Sequence, residues 1–529
     1  MLTIQNLTYI HPNKDLLLDN LNLSLTKHDK AALIGNNGTG KSTLLKIAAG
    51  ILSPASGTVH VAATPYYVPQ LYGQYNHLRI AQALKIEEKL TAFYQILEGD
   101  VTETNLAMLN DDWTLEERCT EALAYWGLAA LDLNQPMQTL SGGQKTKVFL
   151  AGIFIHQPEL ILLDEPSNHL DTSGRQLLYK FIQSSSSTLL VISHDQKLLN
   201  LLNPVLELSK RGITVYGGNY DFYAEQKTIE SQALNQDVRS KEKALRKAKD
   251  LERETAERQQ KLDARGKKKQ EKAGISRIMM NTLRNQAENS TSRLKGIHAE
   301  KVGTISQNLH ELRKDLSDTD KIKFGFDQSR LHRGKILFTA KELNYCYQEQ
   351  LLWQQGLTFQ ITSSERIAIK GSNGSGKTTL IRIILGELAP QMGTVQRAGN
   401  QAVYIDQDYT LIKNNLTVYE QAQLFNSTGL QEHEIKIRLN RFLFTKDDWE
   451  KPDSALSGGE KMRLMLCCLT ISNQAPDMIV LDEPTNNLDI HNIQILITAL
   501  HDYQGTLLVV SHDEYFLEQI HIERTISLF

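Results

Sequence analysis

Cysteine, proline and tryptophan are scarce in this chain: 529 residues hold four, twelve and four of them. The four cysteines, Cys119, Cys346, Cys467 and Cys468, show no C-x-x-C spacing. That argues against a disulfide framework or a cysteine zinc site, and reduced, buried thiols are expected. No apolar run reaches the roughly 18 residues that a membrane-spanning helix needs. The opening Met1-Leu2-Thr3-Ile4-Gln5-Asn6 lacks the basic stretch and apolar core of a secretory signal. A cytoplasmic protein of several domains is the expectation.

Net charge is also small, −3, but it is unevenly spread. Residues 237–301 carry 19 Lys/Arg against 10 Asp/Glu, so the rest of the chain is acidic. A basic insert in an acidic body suits a polyanionic partner. A merely solvated helical surface would look the same.

What the chain does contain is a phosphate-binding loop written twice. Gly35-Asn36-Asn37-Gly38-Thr39-Gly40-Lys41-Ser42 and Gly371-Ser372-Asn373-Gly374-Ser375-Gly376-Lys377-Thr378 both fit GxxxxGK[ST] and start 336 residues apart. The glycines let backbone N–H groups turn toward phosphate, and the following helix adds its positive end, with Thr43 and Thr379 as further nucleotide-binding candidates. Lys41 and Lys377 are expected at the β- and γ-phosphates, with Ser42 and Thr378 offering hydroxyls to Mg²⁺. ATP and Mg²⁺ are therefore the expected cofactors.

Apolar runs precede each chemical group. Ala31-Ala32-Leu33-Ile34 leads into the first loop, and Leu160-Ile161-Leu162-Leu163 ends in Asp164-Glu165. Thr188 to Ile192 ends in Ser193-His194. The second half repeats the order with Arg366–Ile369, Met478–Leu481 before Asp482-Glu483, and Thr506–Val510 before Ser511-His512. Continuous apolar runs suit parallel strands covered on both faces, so the fold class is α/β, with two nucleotide-binding domains. Asp164 and Asp482 suit a carboxylate near Mg²⁺. Glu165 and Glu483 suit a general base for water, typically worth ~10²–10⁴-fold in rate.

The layout is one such domain over 1–220, a second over 334–529, and a linker over 221–333. Residues 237–262 are mostly good helix formers. The glycines of Ala264-Arg265-Gly266-Lys267-Lys268-Lys269-Gln270-Glu271-Lys272-Ala273-Gly274 weaken a helix, so the linker reads as an antiparallel helical hairpin with a basic tip.

Two further motifs carry a resemblance. Leu140-Ser141-Gly142-Gly143-Gln144 and Leu456-Ser457-Gly458-Gly459-Glu460 resemble the LSGGQ signature of ATP-binding cassette ATPases. The resemblance implies P-loop NTPase cassettes in which each signature serves the other cassette's loop. One ATP would lie between Lys41 and Ser457, the other between Lys377 and Ser141. It also implies that Gln70 and Gln407 are Mg²⁺ and water ligands, that His194 and His512 are switch histidines, and that Asp171 and Asp489 are the aspartates of the D-loop. Tyr347 matches the residue that stacks on adenine. Its counterpart in the first cassette is His11, a departure from the pattern.

Within that superfamily, Glu165-Pro166-Ser167-Asn168-His169-Leu170-Asp171, Glu483-Pro484-Thr485-Asn486-Asn487-Leu488-Asp489 and the charged linker resemble the ABC-F translation factors. This implies an ATPase that binds the ribosome when closed on ATP, near the exit site. Its linker would reach toward P-site tRNA, and its cassettes would pair within one monomeric chain. Either modulation of translation or protection from ribosome-targeting antibiotics would fit. The basic tip supplies the candidate RNA contacts Arg265, Lys267, Lys268, Lys269, Lys272 and Arg277. The alternative is a fused subunit energising a separate membrane importer. A DNA-associated cassette protein is a third reading.

Overall fold

A computed structural model describes residues 1–272, 296–297, 299–313, 332–347, 350–399, 401–427, 429–472, 475–486 and 488–528. Two compact units emerge: Met1–Tyr223 together with Ile322–Phe529, and Ala224–Lys321. Both nucleotide-binding halves thus belong to one body, and the linker is a unit of its own.

The first half has a six-stranded sheet, in the order Pro65–Val68, Leu160–Asp164, Thr188–Ile192, Lys30–Ile34, Val205–Ser209, Gly212–Tyr216. Its strands pair in parallel except for the last two, which form a hairpin. The second half has five parallel strands, Ala402–Ile405, Met478–Asp482, Thr506–Val510, Arg366–Gly371 and Arg524–Leu528. The central strands Leu160–Asp164, Thr188–Ile192, Met478–Asp482 and Thr506–Val510 are buried at every residue. Helices on both faces exclude water, which is why their sequences are unbroken apolar runs.

Each half adds a three-stranded antiparallel sheet. Leu2–Ile10 pairs with Leu16–Leu25 and Ser56–Val61 in the first half, and Ile336–Asn344 pairs with Leu357–Thr362 and Met392–Arg397 in the second. Leu2, Ile4, Leu7, Leu44 and Leu45 join the first sheet's core, and Phe338, Trp353, Leu380 and Ile381 do so in the second. A helical layer lies between strand Pro65–Val68 and the first signature, with helices Glu87–Leu97, Glu103–Leu109 and Leu115–Tyr125. Cys119, Cys467 and Cys468 are buried free thiols, while Cys346 is partly exposed.

In the linker, one helix runs from Tyr220 to Lys272, 53 residues. At 1.5 Å per residue that is roughly 80 Å. It continues through Gly266, where the composition suggested a break. One glycine costs only ~1 kcal/mol relative to alanine, and the neighbouring Lys, Gln and Glu favour helix. Residues 299–313 are helical too, and Arg313 Nη2 meets Glu242 Oε1 at 2.6 Å within this unit. Val238 and Leu309 are its buried apolar residues among those described. Arg265 is exposed on the long helix, and Lys267, Lys268, Lys269 and Lys272 lie within its last turns. Arg277 lies outside the described residues.

Candidate functional site

Each phosphate-binding loop joins a buried strand to a helix. Lys30–Ile34 delivers Gly35, and the helix Lys41–Ala48 begins at the lysine. Arg366–Gly371 and the helix Lys377–Leu385 repeat this. Just before each helix, Gly40 (φ 95°) and Gly376 (φ 89°) are left-handed. A Cβ there would be strained and would also strike Leu18 at 2.6 Å or Leu352 at 2.4 Å. Neither helix has a side-chain cap, so its first N–H groups can serve an anion.

Lys41 Nζ donates to Gly35 O (2.6 Å) and Asn36 O (3.0 Å), and Lys377 Nζ donates to Gly371 O (2.8 Å) and Ser372 O (3.2 Å). Burial lowers the pKa of both lysines, while nearby carboxylates oppose it. One of those carboxylates comes from the other half in each case: Asp489 beside Lys41, and Asp171 beside Lys377.

Behind the loops, Ser42 Oγ donates to Asp164 Oδ1 (3.0 Å) and Thr378 Oγ1 to Asp482 Oδ2 (3.4 Å). Two tyrosines complete these pairs. Tyr67 OH donates to Asp164 Oδ2 (3.1 Å) and Tyr404 OH to Asp482 Oδ2 (2.9 Å). Burial raises both aspartate pKa values, and these hydroxyl donors oppose it. Neither tyrosine stands in a motif singled out from the sequence. Each lies three residues before the glutamine, Gln70 or Gln407, so the repeated Y-x-x-Q spacing could have found it. Gln70 is half-buried and Gln407 exposed. No cluster of three or more His, Cys, Asp or Glu able to hold a metal occurs among the described residues. A Mg²⁺ ion would be held here by a hydroxyl, a carboxylate and the neighbouring glutamine, with phosphate and water supplying further oxygens.

Glu165 and Glu483 follow at the strand ends, both with left-handed backbones (φ 53° and 49°). Such a backbone costs ~1–3 kcal/mol outside glycine. It is held by hydrogen bonds from Glu165 N to Ile192 O (2.9 Å) and from Glu483 N to Val510 O (2.8 Å). His194 Nε2 lies 3.1 Å from Glu165 Oε1, and His512 Nε2 lies 3.4 Å from Glu483 Oε1. Burial raises Glu165 to about 8 and Glu483 to about 7. Burial, with Lys41 or Lys377 next, lowers His194 to about 3 and His512 to about 4, so both imidazoles are neutral at pH 7.

The two halves meet at these groups. Asn37 N donates to Asp489 Oδ2 at 2.8 Å, and Asn373 Nδ2 donates to His169 O at 3.2 Å. A cavity of about 300 Å³ is lined from one side by Ser141, Gly142 and Gly143, and from the other by Asn373, Glu483 and His512. A Cβ on Gly143 would meet His169 O at 2.6 Å, so the signature needs glycine to fit. Ser141 and Ser457 cap their helices: Gln144 N donates to Ser141 Oγ and Glu460 N to Ser457 Oγ, both at 3.3 Å. Gln144 Oε1 and Glu460 Oε2 accept from the serine N–H in return, at 2.9 and 2.7 Å.

Tyr347 and His11 differ. Tyr347 OH is 3.2 Å from Thr379 Oγ1, beside the second loop, with its ring half exposed. His11 is exposed in the turn after the first strand, where its N–H bonds to Asp15 O.

The residues fit a magnesium nucleoside triphosphate. Glycine cradles face uncapped helix starts, each lysine spans its loop, and the buried Ser375 Oγ has no hydrogen-bond partner of its own. A profile of the family described as ABC transporter matches residues 18–168 and 354–486, one span in each half. The chain belongs to the ABC-F family of tandem ATP-binding cassette ATPases. It is 32% identical to the putative ATP-binding protein YdiF of Bacillus subtilis, over 96% of this chain and 77% of that one. It is 28% identical to ABC transporter F family member 5 of Arabidopsis thaliana, over 97% and 72%. In fold it matches the archaeal ribosome recycling factor aABCE1, solved with the ribosomal stalk protein aP1, with a TM-score of 0.60 over 99% of this chain and 87% of that one, at 20% identity. No helix among the described residues is long and apolar enough to cross a membrane.

Proposed function

We propose that this ABC-F ATPase works on the ribosome, binding it with both cassettes closed on ATP and releasing it after hydrolysis. The observation that carries this reading is the linker unit. An importer subunit has no use for a 53-residue charged helix set between its cassettes, whereas a protein that must touch RNA does. The fold neighbour's complex with a ribosomal stalk protein supports the same direction. Binding near the exit site, with the basic stretch from Arg265 onward directed at P-site tRNA, is the finer form of the proposal. A monomeric, cytoplasmic protein that modulates translation or protects against ribosome-targeting antibiotics would act this way.

Each ATP would be shared between cassettes, one by Lys41 and Ser457, the other by Lys377 and Ser141. Mg²⁺, when bound, neutralises charge on the phosphates beside Ser42, Asp164 and Gln70, or beside Thr378, Asp482 and Gln407. Glu165 and Glu483 take the proton of the attacking water in their ionised form, which burial disfavours and Lys41 and Lys377 favour. His194 and His512, with Nε2 at 3.1 and 3.4 Å from these carboxyls, border the same water position. The test is sedimentation of Glu165→Gln/Glu483→Gln with ribosomes through sucrose. ATP-dependent co-sedimentation, lost when Lys267, Lys268 and Lys269 become alanine, is expected. Absence from the ribosomal fractions despite ATP loading would overturn the proposal.

A further inference from the structure

The turn and helix that follow each D-loop aspartate differ in kind between the cassettes. After Asp171 the chain reads Thr172-Ser173-Gly174-Arg175; after Asp489 it reads Ile490-His491-Asn492-Ile493. The helix Thr172–Ser184 therefore presents a hydroxyl and a guanidinium where Ile490–Asp502 presents two isoleucines.

Thr172 reaches across the cassette contact, and Arg175, bonded within its own cassette, borders it. Thr172 Oγ1 lies 3.4 Å from Nδ1 of His512, the histidine of the other cassette. Arg175 is 8% exposed and lines the cavity that Glu483 and His512 line from the opposite side. Its Nε donates to Leu170 O (3.3 Å), and its Nη1 meets Asp195 Oδ2 (3.4 Å), which also accepts from Tyr179 OH. Asp513 and Glu483 of the second cassette add their charge to that of Asp195 around this one guanidinium. Lys377, whose Nζ lies 3.2 Å from His512 Nε2, and Lys370, Asp482 and Asp171 are the other charged groups around Glu483 and His512. An ion pair between Lys197 and Glu514 does bridge the cassettes. At the first site, Ile493 is 2% exposed and offers no charge, and Nδ1 of His194 is buried without a hydrogen-bond partner.

We propose that Arg175, assisted by Thr172, is a positioning residue acting in trans, which holds the first cassette's D-loop turn against Glu483 and His512. The two ATP sites are then unequal: hydrolysis at the second depends on this guanidinium, and hydrolysis at the first, which has Ile493 in its place and keeps only the Asp489–Asn37 contact, does not. This rests on the reading that each chain hydrolyses ATP at two shared sites.

The test is single-turnover hydrolysis of bound ATP in the full chain, scored by amplitude and by phase. Wild type is expected to hydrolyse two ATP per chain. In Arg175→Gln, half of that amplitude is expected to slow by about tenfold or more, the scale of a lost charged hydrogen bond. Thr172→Ile, which copies Ile490, is expected to slow the same half by about threefold. Arg175→Lys keeps the cation and is expected to restore the fast phase, which a purely structural role would not require. In Glu483→Gln only the first-site phase remains, and adding Arg175→Gln is expected to leave it within about twofold of its rate. Both halves slowing alike, neither slowing, or no rescue by lysine would overturn the inference and leave the two-site reading intact. Hydrolysis of one ATP per wild-type chain would overturn that reading and the inference with it.

Discussion

Met137 in the first cassette and Asp453 in the second stand three residues before the signature leucine, and both are fully buried. One is a methionine in an apolar core. The other is a carboxyl with no hydrogen-bond partner, pushed up to about 7 by burial. Ile493 and Arg175 differ in the same way, as do His11 and Tyr347. The groups proposed to act on ATP are the reverse case: in both cassettes the lysine donates to its own loop carbonyls, a hydroxyl donates to the aspartate, and the histidine stands beside the glutamate. The proposed reacting groups thus share one local geometry, while the residues that seat them diverge. A fold repeats its catalytic geometry through local backbone shape, and a packing position has only to be filled.

The largest effects are expected at the elements the cassettes share. Glu165→Gln with Glu483→Gln is expected to cut steady-state ATP turnover by ~10²–10⁴-fold while ATP binding persists. Each single change should lower turnover, and an unchanged rate in Glu483→Gln would remove the second site from the account. Next in size, Asp489→Ala is expected to slow the first site by about tenfold, because it removes the carboxylate that accepts from Asn37 N. Asp171→Ala should act instead on the second site, beside Lys377 and His512. Single-turnover phases in the Glu→Gln backgrounds separate the two.

Smaller still, Tyr67→Phe and Tyr404→Phe each remove one hydroxyl donor from the aspartate proposed to face Mg²⁺. Titration of activity with Mg²⁺ should show a shift of about threefold, the scale of one neutral hydrogen bond. The smallest effect bears on the unlike pair at the signatures. Asp453→Met copies Met137. The folded pKa of Asp453, about 7, lies above the unfolded value near 3.9. Its protonated form stabilises the fold at low pH, and that contribution is lost as pH rises through 7. Thermal denaturation should therefore show a larger gain in Tm from Asp453→Met at pH 8 than at pH 5. An equal gain at both would mean that the carboxyl is not buried as described. Glu165 and Glu483 carry the same sign, whereas His194 and His512, lowered by burial, lose stability as pH falls below about 6.5.

Much of this is legible in the chain itself. The loops, signatures and strand-end Asp-Glu pairs carry local constraints: a left-handed glycine at 40 and 376, a serine cap at 141 and 457, an apolar strand before each carboxylate. Such constraints fix residue type at fixed spacing, so the α/β cassettes and their family can be read from them. Contacts between cassettes cannot. Asn37 and Asp489 are 452 residues apart, and no spacing rule links them. The place of Arg175 beside the other cassette is invisible for the same reason, although its replacement by Ile493 is plain once the halves are aligned. Gly266 misleads because a propensity summed over a short stretch underweights the helix formers on both sides. Tyr67 and Tyr404 escape notice although their spacing repeats, because a lone tyrosine in a strand usually reads as packing.

Whether each ATP is shared between the cassettes is decided most directly by an experimental structure of Glu165→Gln/Glu483→Gln with Mg²⁺ and ATP. Two nucleotides are expected, one touching Lys41 and Ser457, the other touching Lys377 and Ser141, with Asp489 and Asp171 on the opposite loops. Nucleotides contacted only by their own cassette's residues, with the signatures turned away, would contradict it.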